Sequence, residues 1–310
     1  MTANPSATTL AAQLALLERA FGAYRPRDAV VRVAGDDRLA WLQGQLTQDV
    51  LGLRPGAAVY GLLLQPTGKI LADLDVLCRA DDLLLVCSVE VVDEVLAQLD
   101  RYIMMEDVEL TLLQLPLVAA QGPTASDLRA SLTAGLGEGR VFEVDRLGAG
   151  GLLVLGEDDA ALASAVVAAG GDWVSDEAVL LARLRAGRPA LGPDFGPTTL
   201  PQVAGLAQRA VSFQKGCYRG QEPVVMLEHR GTPPKRLVRL HIEADAAPPA
   251  GATLRDESDA PVGAVTSAAR APDGVVYALG MLKRGVDLAA VTQVGDDGAR
   301  ARAQAEGYVT

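Results

Sequence analysis

One short segment of the chain combines a thiol with two cations and two glycines. Residues 215–222 read KGCYRGQE, and Cys217 lies two residues from both Lys215 and Arg219. Cations close to a thiol favour the thiolate, which is the nucleophilic and metal-binding form of cysteine. A helix that begins at Gln221 would also direct the positive end of its dipole at this loop. We therefore predict a functional thiol at Cys217; the alternative is a small buried residue with only a packing role.

The remaining cysteines and the histidines limit the chemistry further. Cys78 and Cys87 lie in apolar, strand-like runs, so we predict that both are buried packing residues. Three cysteines, with no Cys-x-x-Cys pair and no recognisable export signal, are typical of a protein of the reducing cytoplasm. Only His229 and His241 could supply imidazole ligands, and we predict no metal site.

Polar side chains at the ends of predicted elements are further candidates for ligand contact. Thr47 and Asp49 follow a predicted helix, where the alternative is an ordinary turn. Asp73 lies on a predicted strand after the turn at Gly68, and it either faces solvent or contacts a ligand. Tyr102 ends a predicted helix, where packing is the alternative.

Composition excludes several classes of protein. The chain has 310 residues, which suggests two domains, and 49% hydrophobic residues are enough for a sizeable core. A net charge of −11 argues against broad, sequence-independent nucleic-acid binding, and 4% aromatic residues argue against base-stacking platforms. The apolar runs are shorter than the roughly 18 residues that span a bilayer, so we expect no membrane segment. Nothing in the pattern predicts oligomerisation, and a monomer is our expectation.

The patterns of the first 235 residues alternate between helices and hairpins. Helical spacing is found near residues 10–21, 90–102, 159–169 and 176–186, and Asp36 is predicted to cap a short helix that contains Leu39, Trp41 and Leu42. Strand patterns at residues 59–64 and 70–77 flank a glycine turn, and Asp81-Asp82 forms a second hairpin turn. Hairpins mixed with helices predict an α+β fold with antiparallel sheets.

The pattern of predicted secondary structure changes after Pro233-Pro234. Short strands near residues 236–242, 252–255, 262–267 and 275–282 are separated by turns, which predicts a small β-barrel or sandwich. We therefore divide the chain into a region of residues 1–235, itself composed of two intertwined α+β subdomains, and a C-terminal domain of residues 236–310.

The segment at 215–222 resembles the KGCYxGQE signature of the YgfZ folate-binding family, which is related to the glycine cleavage T-protein, an aminomethyltransferase. Other segments resemble family motifs in the same order, so that the resemblance covers about residues 28–290. These segments are 41–50 (WLQGQLTQDV), 65–73 (QPTGKILAD), 102–110, 185–192, 200–206 and 261–267 (PVGAVTS).

The resemblance implies a T-protein-like region of antiparallel sheets and flanking helices around a central channel, followed by a C-terminal barrel. It implies a tetrahydrofolate-type ligand in that channel, with Asp73, Gln202, Thr47, Asp49, Tyr102, Gln221 and Glu222 as candidate contacts. For Glu222 the alternative is that its carboxylate stabilises a helix N-terminus. The family is linked to iron–sulfur enzymes and to thiolated tRNA modification, and its signature cysteine is thought to be required. We expect Cys217 on a loop near one end of the channel.

Two departures from the T-protein pattern bear on activity. Where the T-protein branch supplies a glutamate for the pterin ring, this chain has Gln202, which offers one acceptor and one donor group. The T-protein branch also has an adjacent aspartate pair after its glycine turn. Here the segment reads Leu71-Ala-Asp-Leu-Asp75, and Asp73 is the only close match.

Four functions stay open at this point. The first is a folate-binding protein that supports iron–sulfur cluster assembly or repair, with Cys217 as its thiol. The second is a folate-dependent aminomethyltransferase or demethylase that uses Asp73. The third is a cysteine-dependent hydrolase or acyltransferase, which needs His229 or His241 within about 3.2 Å of the Cys217 sulfur. The fourth is a non-catalytic interaction module with a degenerate channel, for which Gln202 is the best argument.

Overall fold

The computed structural model describes residues 8–295 and 301–310, which form an α+β fold. The α-helices of these residues are α1 (Leu10–Arg19), α2 (Arg38–Gln45), α3 (Val92–Asp100), α4 (Arg129–Leu136), α5 (Asp159–Ala168), α6 (Asp176–Arg185), α7 (Ala207–Ala210) and α8 (Gln221–Arg230). Short 3₁₀ turns span Ala125–Leu128 and Leu288–Ala290.

The strands form two sheets and a barrel. Those of the sheets are β1 (Gly22–Tyr24), β2 (Asp28–Ala34), β3 (Ala58–Leu64), β4 (Ile70–Cys78), β5 (Leu83–Ser88), β6 (Glu109–Leu113), β7 (Leu117–Gln121), β8 (Val141–Glu143), β9 (Gly151–Leu155) and β10 (Asp172–Trp173). Those of the barrel are β11 (Lys235–Glu243), β12 (Thr253–Arg255), β13 (Pro261–Arg270), β14 (Val276–Lys283), β15 (Gln293–Val294) and β16 (Ala301–Tyr308).

The first sheet places two aspartates on its inner face. Its strand order is β3-β4-β5-β2-β6, and all neighbouring strands are antiparallel. Because side chains alternate along a strand, Leu74 of β4 packs outward in a core that includes Trp41 of α2 and Leu99 of α3. The same alternation directs Asp73 and Asp75 to the opposite, inner face.

The second sheet completes the central core. Its order is β10-β1-β7-β9-β8, with β1 and β10 parallel and the other neighbours antiparallel. One hydrophobic cluster joins both sheets to α1 and α6, through residues such as Leu14, Val86, Leu153 and Leu181. Leu279 of the barrel belongs to the same cluster, so the barrel rests on the core of the sheets.

A buried carboxylate fastens the barrel to the rest of the chain. The barrel is closed, in the order β11-β14-β13-β12-β15-β16. Asp194 accepts hydrogen bonds from the hydroxyls of Thr266 (2.6 Å) and Ser267 (2.7 Å) on β13. It also pairs with Arg183 of α6 at 2.6 Å. The 261–267 motif therefore serves, through these two hydroxyls, to dock the barrel.

The predicted fold class is confirmed, and the local differences have physical causes. Asp37, not Asp36, is the N-cap of α2; its carboxylate accepts from the backbone N–H of Asp107 and forms no side-chain cap. Strand β16 was not expected because its sequence is rich in alanine and charge, but it closes the barrel between β11 and β15. The C-terminal region is a closed barrel and not a sandwich, which decides between the two predicted architectures. The division of the chain into two domains at residue 235 stays a prediction.

Among the described residues, no helix combines the length and the apolar character needed to cross a membrane.

Candidate functional site

A polar cavity of about 290 Å³ lies at the inner face of the first sheet. We call it the carboxylate cavity, and its polar lining includes Tyr60, Asp73, Asp75, Arg146 and Arg209. Asp73 and Asp75 are two residues apart on β4, so both side chains reach the same space. Polar groups that converge on one cavity in this way are typical of a ligand site.

An arginine from the second sheet's edge neutralises one of these aspartates. Arg146 contacts Asp75 through Nη2 at 2.6 Å and through Nε at 3.1 Å, and it also pairs with Asp28. Burial alone would lower the pKa of Arg146, but the charges of Asp28 and Asp75 hold it well above its ordinary value. Burial raises the pKa of Asp75 although Arg146 opposes the shift. Arg146 is therefore a fixed cation that holds Asp75 in place.

The second aspartate has a phenol as its partner. The hydroxyl of Tyr60 donates to Asp73 at 3.0 Å. Burial raises the pKa of Asp73, the hydrogen bond from Tyr60 opposes that shift, and the charge of Asp75 adds to it. Burial and the charge of Asp73 likewise raise the pKa of Tyr60 well above its ordinary value. Asp73 therefore holds a proton more readily than a solvated aspartate and could act as an acid or a hydrogen-bond donor.

The signature loop lies elsewhere, against the end of α2. Cys217 is exposed on this loop. The ammonium of Lys215 donates to the carbonyls of Gln43 (2.7 Å), Leu46 (2.7 Å) and Gln48 (2.9 Å). Burial lowers the pKa of Lys215 to about 8, so the group still carries its charge at neutral pH. Lys215 therefore caps the C-terminal end of α2, where a cation is favoured.

Arg219 is also bound to its surroundings. Its guanidinium stacks on the ring of Tyr102, 3.4 Å from the ring centroid, and its backbone N–H donates to the carbonyl of Gly44. The next residue, Gly220, has a φ of 74° and packs against the carbonyl of Gln65 in the 65–68 turn. The motifs at 41–50, 65–73, 102–110 and 215–222 thus meet in one assembly, although they are distant in sequence.

The other predicted contacts have partners within the protein. The hydroxyl of Thr47 is fully buried, donates to the carbonyl of Ala210 at 2.6 Å and accepts from the N–H of Leu62 at 2.8 Å. Asp49 accepts from the side-chain amide of Gln43 at 3.0 Å. These two residues stabilise the connection from α2 to β3.

The helix α8 contains two more of the predicted residues and contacts a third. The side chain of Gln221 accepts from the N–H of Tyr218, and exposed Glu222 lies in the first turn of the helix. Gln202 donates through Nε2 to the carbonyl of Val224 at 2.8 Å, while its Oε1 is buried without a hydrogen-bond partner. Gln202 lines a separate cavity beside Glu228.

Asp73 is therefore the one predicted contact that lines the carboxylate cavity. Thr47, Asp49, Tyr102, Gln202, Gln221 and Glu222 do not line it, and neither does Cys217. Their assignment as ligand contacts stays a prediction. The thiol is exposed as expected, on a surface distinct from the lining of that cavity.

Sequence reasoning missed most of the cavity. It treated Asp73 as the sole carboxylate near the ligand, but Asp75 and Asp28 also line this space. The spacing of two between Asp73 and Asp75 was a usable signal, since such residues share a face of a strand. Arg146 gave no such signal because it is 71 residues from Asp75 in sequence.

Neither histidine is bonded to the thiol. His241 lies on β11, where its Nδ1 is 3.2 Å from Glu306 and its ring packs edge-on against Tyr277. His229 is exposed near the end of α8. In the part of the chain that the structure describes, no hydrogen bond joins Cys217 to either ring, and no group of three or more His, Cys, Asp or Glu side chains is arranged to hold a metal ion.

Comparison with known proteins agrees with this architecture. Residues 29–143 match the GCVT N-terminal domain family. The chain is 26% identical over 284 residues to the tRNA-modifying protein YgfZ of Yersinia enterocolitica, covering 87% of this chain and 86% of that protein. It is 26% identical over 298 residues to the tRNA-modifying protein YgfZ of Hamiltonella defensa, with the same coverage.

The fold has a solved counterpart. The crystal structure of the glycine cleavage system aminomethyltransferase T from Bartonella henselae superposes with a TM-score of 0.82 at 22% identity, covering 96% of this chain and 88% of that one. The chain thus has the fold of the T-protein, and its residues 29–143 are similar to the GCVT N-terminal domain. Within this class, the relatives confirm the resemblance to the YgfZ family that the signature predicted.

Proposed function

We propose that the carboxylate cavity binds tetrahydrofolate or a close derivative. The observation that carries this proposal is the pair of carboxylates, half-buried Asp73 and buried Asp75, on one face of β4. A pterin ring presents adjacent N–H groups, and carboxylate oxygens are the acceptors that suit them. Burial strengthens such hydrogen bonds because water does not compete for them. The residues present therefore fit a pterin.

We propose that the protein, with its folate bound, supports iron–sulfur cluster assembly or repair and thiolated tRNA modification. The relatives named tRNA-modifying protein YgfZ support this role, and the exposed thiol of Cys217 supports contact with a partner protein or cluster. The protein would act as a monomer in the cytoplasm. Lys215 and Arg219 would serve the thiol by fixing the loop, because both side chains anchor it to neighbouring elements.

Calorimetric titration with tetrahydrofolate tests the ligand. We expect saturable binding to the wild type and a loss of about tenfold or more in Asp73→Asn and Asp75→Asn, since each removes a charged acceptor. Asp273→Asn, at an exposed position, is the matched control. Absence of binding by the wild type at high ligand concentration would refute the proposal and favour an interaction module.

Complementation tests the role of the thiol. A strain deficient in iron–sulfur maintenance should be rescued by the wild type and not by Cys217→Ser, whereas Cys78→Ser should rescue. Full rescue by Cys217→Ser would refute a functional thiol. The Cys78 variant is the control because that thiol is buried.

A folate-dependent one-carbon transfer is the second candidate. Asp73 and Tyr60 favour it, because an acid with a raised pKa could hold or deliver a proton beside the ligand. Tetrahydrofolate, when bound, would supply the carrier for the one-carbon group. The test is turnover of methylenetetrahydrofolate with an aminomethyl donor, and a rate abolished by Asp73→Asn would select this function over the first.

A further inference from the structure

The two most exposed large hydrophobic side chains of the described residues are neighbours in the loop that follows α3. Met104 is 85% exposed and Met105 is 97% exposed. Their loop is fixed, because Glu106 accepts hydrogen bonds from the backbone N–H of Met104 at 2.9 Å and of Met105 at 3.0 Å. A single exposed hydrophobic residue is common, whereas an adjoining pair on a fixed loop is typical of a surface that another molecule covers.

The methionine loop adjoins the loop of the thiol. Tyr102, two residues before Met104, supplies the ring on which the Arg219 guanidinium stacks. Arg219 lies two residues after the exposed Cys217. We call the surface composed of these two loops the thiol face, and its residues are Arg101, Tyr102, Met104, Met105, Cys217 and Arg219.

The two cations of the thiol face have no carboxylate partner. Among residues 8–295 and 301–310, the side chain of Arg219 forms no ion pair or hydrogen bond, and its Nε is buried without an acceptor. Burial, and after it the charge of Arg101, lowers the pKa of Arg219. The side chain of Arg101 is exposed and likewise unpaired within the described residues. Two neighbouring cations whose donors lack acceptors are stabilised by an anion from outside the chain.

The carboxylates that are close in sequence do not supply that anion. Glu106 is bonded to the backbone of the methionine loop, and Asp107 accepts from the backbone N–H of Asp36 at 3.0 Å. In the described part of the chain, neither Asp100 nor Glu222 forms an ion pair with an arginine. The guanidinium groups of the thiol face are therefore available to another molecule.

The residue types of the thiol face favour a protein as that molecule. Arginine, tyrosine and methionine are enriched at protein interfaces, and methionine adapts its shape to an apolar partner. A guanidinium that is fixed by stacking loses little conformational entropy when it binds a carboxylate. A nucleic acid would instead require many cations to neutralise its phosphates, and the chain has a net charge of −11.

We propose that the thiol face docks a protein partner that presents an apolar side chain flanked by carboxylates. The apolar side chain packs on Met104 and Met105, and the carboxylates bind Arg101 and Arg219, so that the partner lies against Cys217. This inference rests on the proposed function in one respect: the docked protein is the one that the thiol serves.

Complementation with the full chain tests docking in cells. The variants Arg101→Glu, Arg219→Glu and Met105→Asp each place a negative charge against the carboxylates of the partner. Their controls are Arg302→Glu, largely exposed on the barrel, and Val167→Asp, more than half exposed on α5. In a strain deficient in iron–sulfur maintenance, each variant of the thiol face should lower the level of thiolated tRNA about tenfold or more, because like charges oppose docking.

Conservative variants and folding controls keep that test specific. Both control variants should rescue fully, and Arg219→Lys and Met105→Leu should retain most of the rescue. Arg101 and Met105 are exposed, so their variants are expected to fold even where Arg219→Glu disturbs its loop. Thermal unfolding of each purified variant verifies the fold.

A charged disulfide tests the thiol face without the partner. The purified full chain is treated with dithiobis(nitrobenzoate), whose two halves each carry a carboxylate, and with uncharged dithiodipyridine. In both reactions the Cys217 thiolate attacks the disulfide and displaces an arylthiolate, so the ratio of the two rates isolates the effect of charge. We expect Arg101→Glu and Arg219→Glu to lower this ratio about 3- to 10-fold. Arg302→Glu should leave the ratio unchanged.

The remaining outcomes separate docking from the proposed function. If Cys217→Ser fails to rescue but all three variants of the thiol face rescue fully, the docking proposal is refuted and the functional thiol stands. If Cys217→Ser rescues fully, the functional thiol is refuted. A rate ratio that is equal in all variants would show that the two arginines do not act at the thiol, and would overturn the docking proposal.

Photocrosslinking distinguishes a protein from a nucleic acid. A benzophenone amino acid in place of Met105 should form an adduct that protease removes, and Arg101→Glu should abolish it. An adduct that ribonuclease removes would overturn the proposal of a protein partner.

Discussion

Tyr60 faces Asp75 across the antiparallel ladder of β3 and β4, but its hydroxyl donates diagonally to Asp73 at 3.0 Å. The two aspartates of β4 thereby receive different partners, a phenol for Asp73 and the guanidinium of Arg146 for Asp75. A charged partner stabilises the ionised form of a carboxyl group more strongly than a neutral one. Burial raises the pKa of both carboxyls; the partner that opposes this rise is a cation at Asp75 and a neutral hydroxyl at Asp73.

Asp73→Asn should alter the pH dependence of stability. Because the pKa of Asp73 is raised in the folded state above its ordinary value of 3.8, its contribution is fully present below that value and is lost as pH rises through the folded pKa. Asparagine still accepts from Tyr60 but does not ionise. As pH rises above about 4, the free energy of unfolding of the wild type should fall relative to that of Asp73→Asn, and the difference should level off once Asp73 is ionised. Denaturant unfolding at several pH values measures this difference, and parallel curves for the two proteins would contradict the shift.

The two glycines of the signature should differ in their tolerance of alanine. Gly220 has a φ of 74°, and a Cβ there would overlap the carbonyl of Gln65. A Cβ on Gly216 meets no described atom within 4 Å. Gly220→Ala should therefore lower the free energy of unfolding by more than about 1–2 kcal/mol, the cost of the left-handed conformation alone. Gly216→Ala should change it by less than about 0.5 kcal/mol. Equal stabilities in denaturant unfolding would count against this packing of loop and turn.

Lys215→Met should destabilise the fold. The variant leaves the carbonyls of Gln43, Leu46 and Gln48 without their charged donor, which should cost about 1–3 kcal/mol of unfolding free energy. Lys235→Met, at an exposed position where the barrel begins, is the matched control. If Lys215→Met unfolds at the same denaturant concentration as the wild type, Lys215 is not the anchor of this loop.

Alkylation should distinguish Cys217 from the other two thiols. Cys217 is exposed, whereas burial raises the pKa of Cys78 and raises that of Cys87 to about 12, so neither forms much thiolate. Native protein treated with iodoacetamide should gain one adduct by mass spectrometry, and none in Cys217→Ser. Rapid labelling of that variant in its native state would show that a buried thiol is accessible.

Asp194→Ala should loosen the junction between the barrel and the sheets. The side chain of Asp194 is 0% exposed and neutralises Arg183, which would be left as a buried charge without its carboxylate. Loss of one partner of a buried ion pair costs about 3–5 kcal/mol. Asp273→Ala, whose side chain is 49% exposed beside Arg185, should cost less than about 1 kcal/mol. Similar thermal midpoints for the two variants would argue against this role of Asp194.

Local patterns of the sequence predicted most of the elements. The alternation around Asp73 predicted strand β4, and the spacing of Leu10, Leu14 and Leu17 predicted α1, whose N-cap in the structure is Thr9. These predictions succeed because side-chain periodicity follows from backbone geometry alone. The failures were elements such as β1 and β16, whose strand conformation depends on neighbours supplied by distant segments.

The set of residues that lines the carboxylate cavity could not be predicted from local patterns. Arg146 and Arg209 are far from Asp73 in sequence, and only the packing of the two sheets brings them to one space. Conversely, the predicted cations of the signature loop contact a helix end and an aromatic ring. The short distance in sequence predicted two positive charges near the Cys217 thiol. The directions in which the Lys215 and Arg219 side chains point depend instead on the end of α2 and the Tyr102 ring, which pack against the loop.

The sequence by itself determined the α+β class, the barrel region, the resemblance to YgfZ and the identity of the exposed thiol, because all of these reside in short, contiguous patterns. Only the tertiary structure decided that Asp73 and Asp75 share one cavity with Arg146, and that the other predicted contacts do not line it. The physical reason is that burial and ion pairing are properties of groups brought together in space, and the chain reaches those contacts only when both sheets have closed on each other.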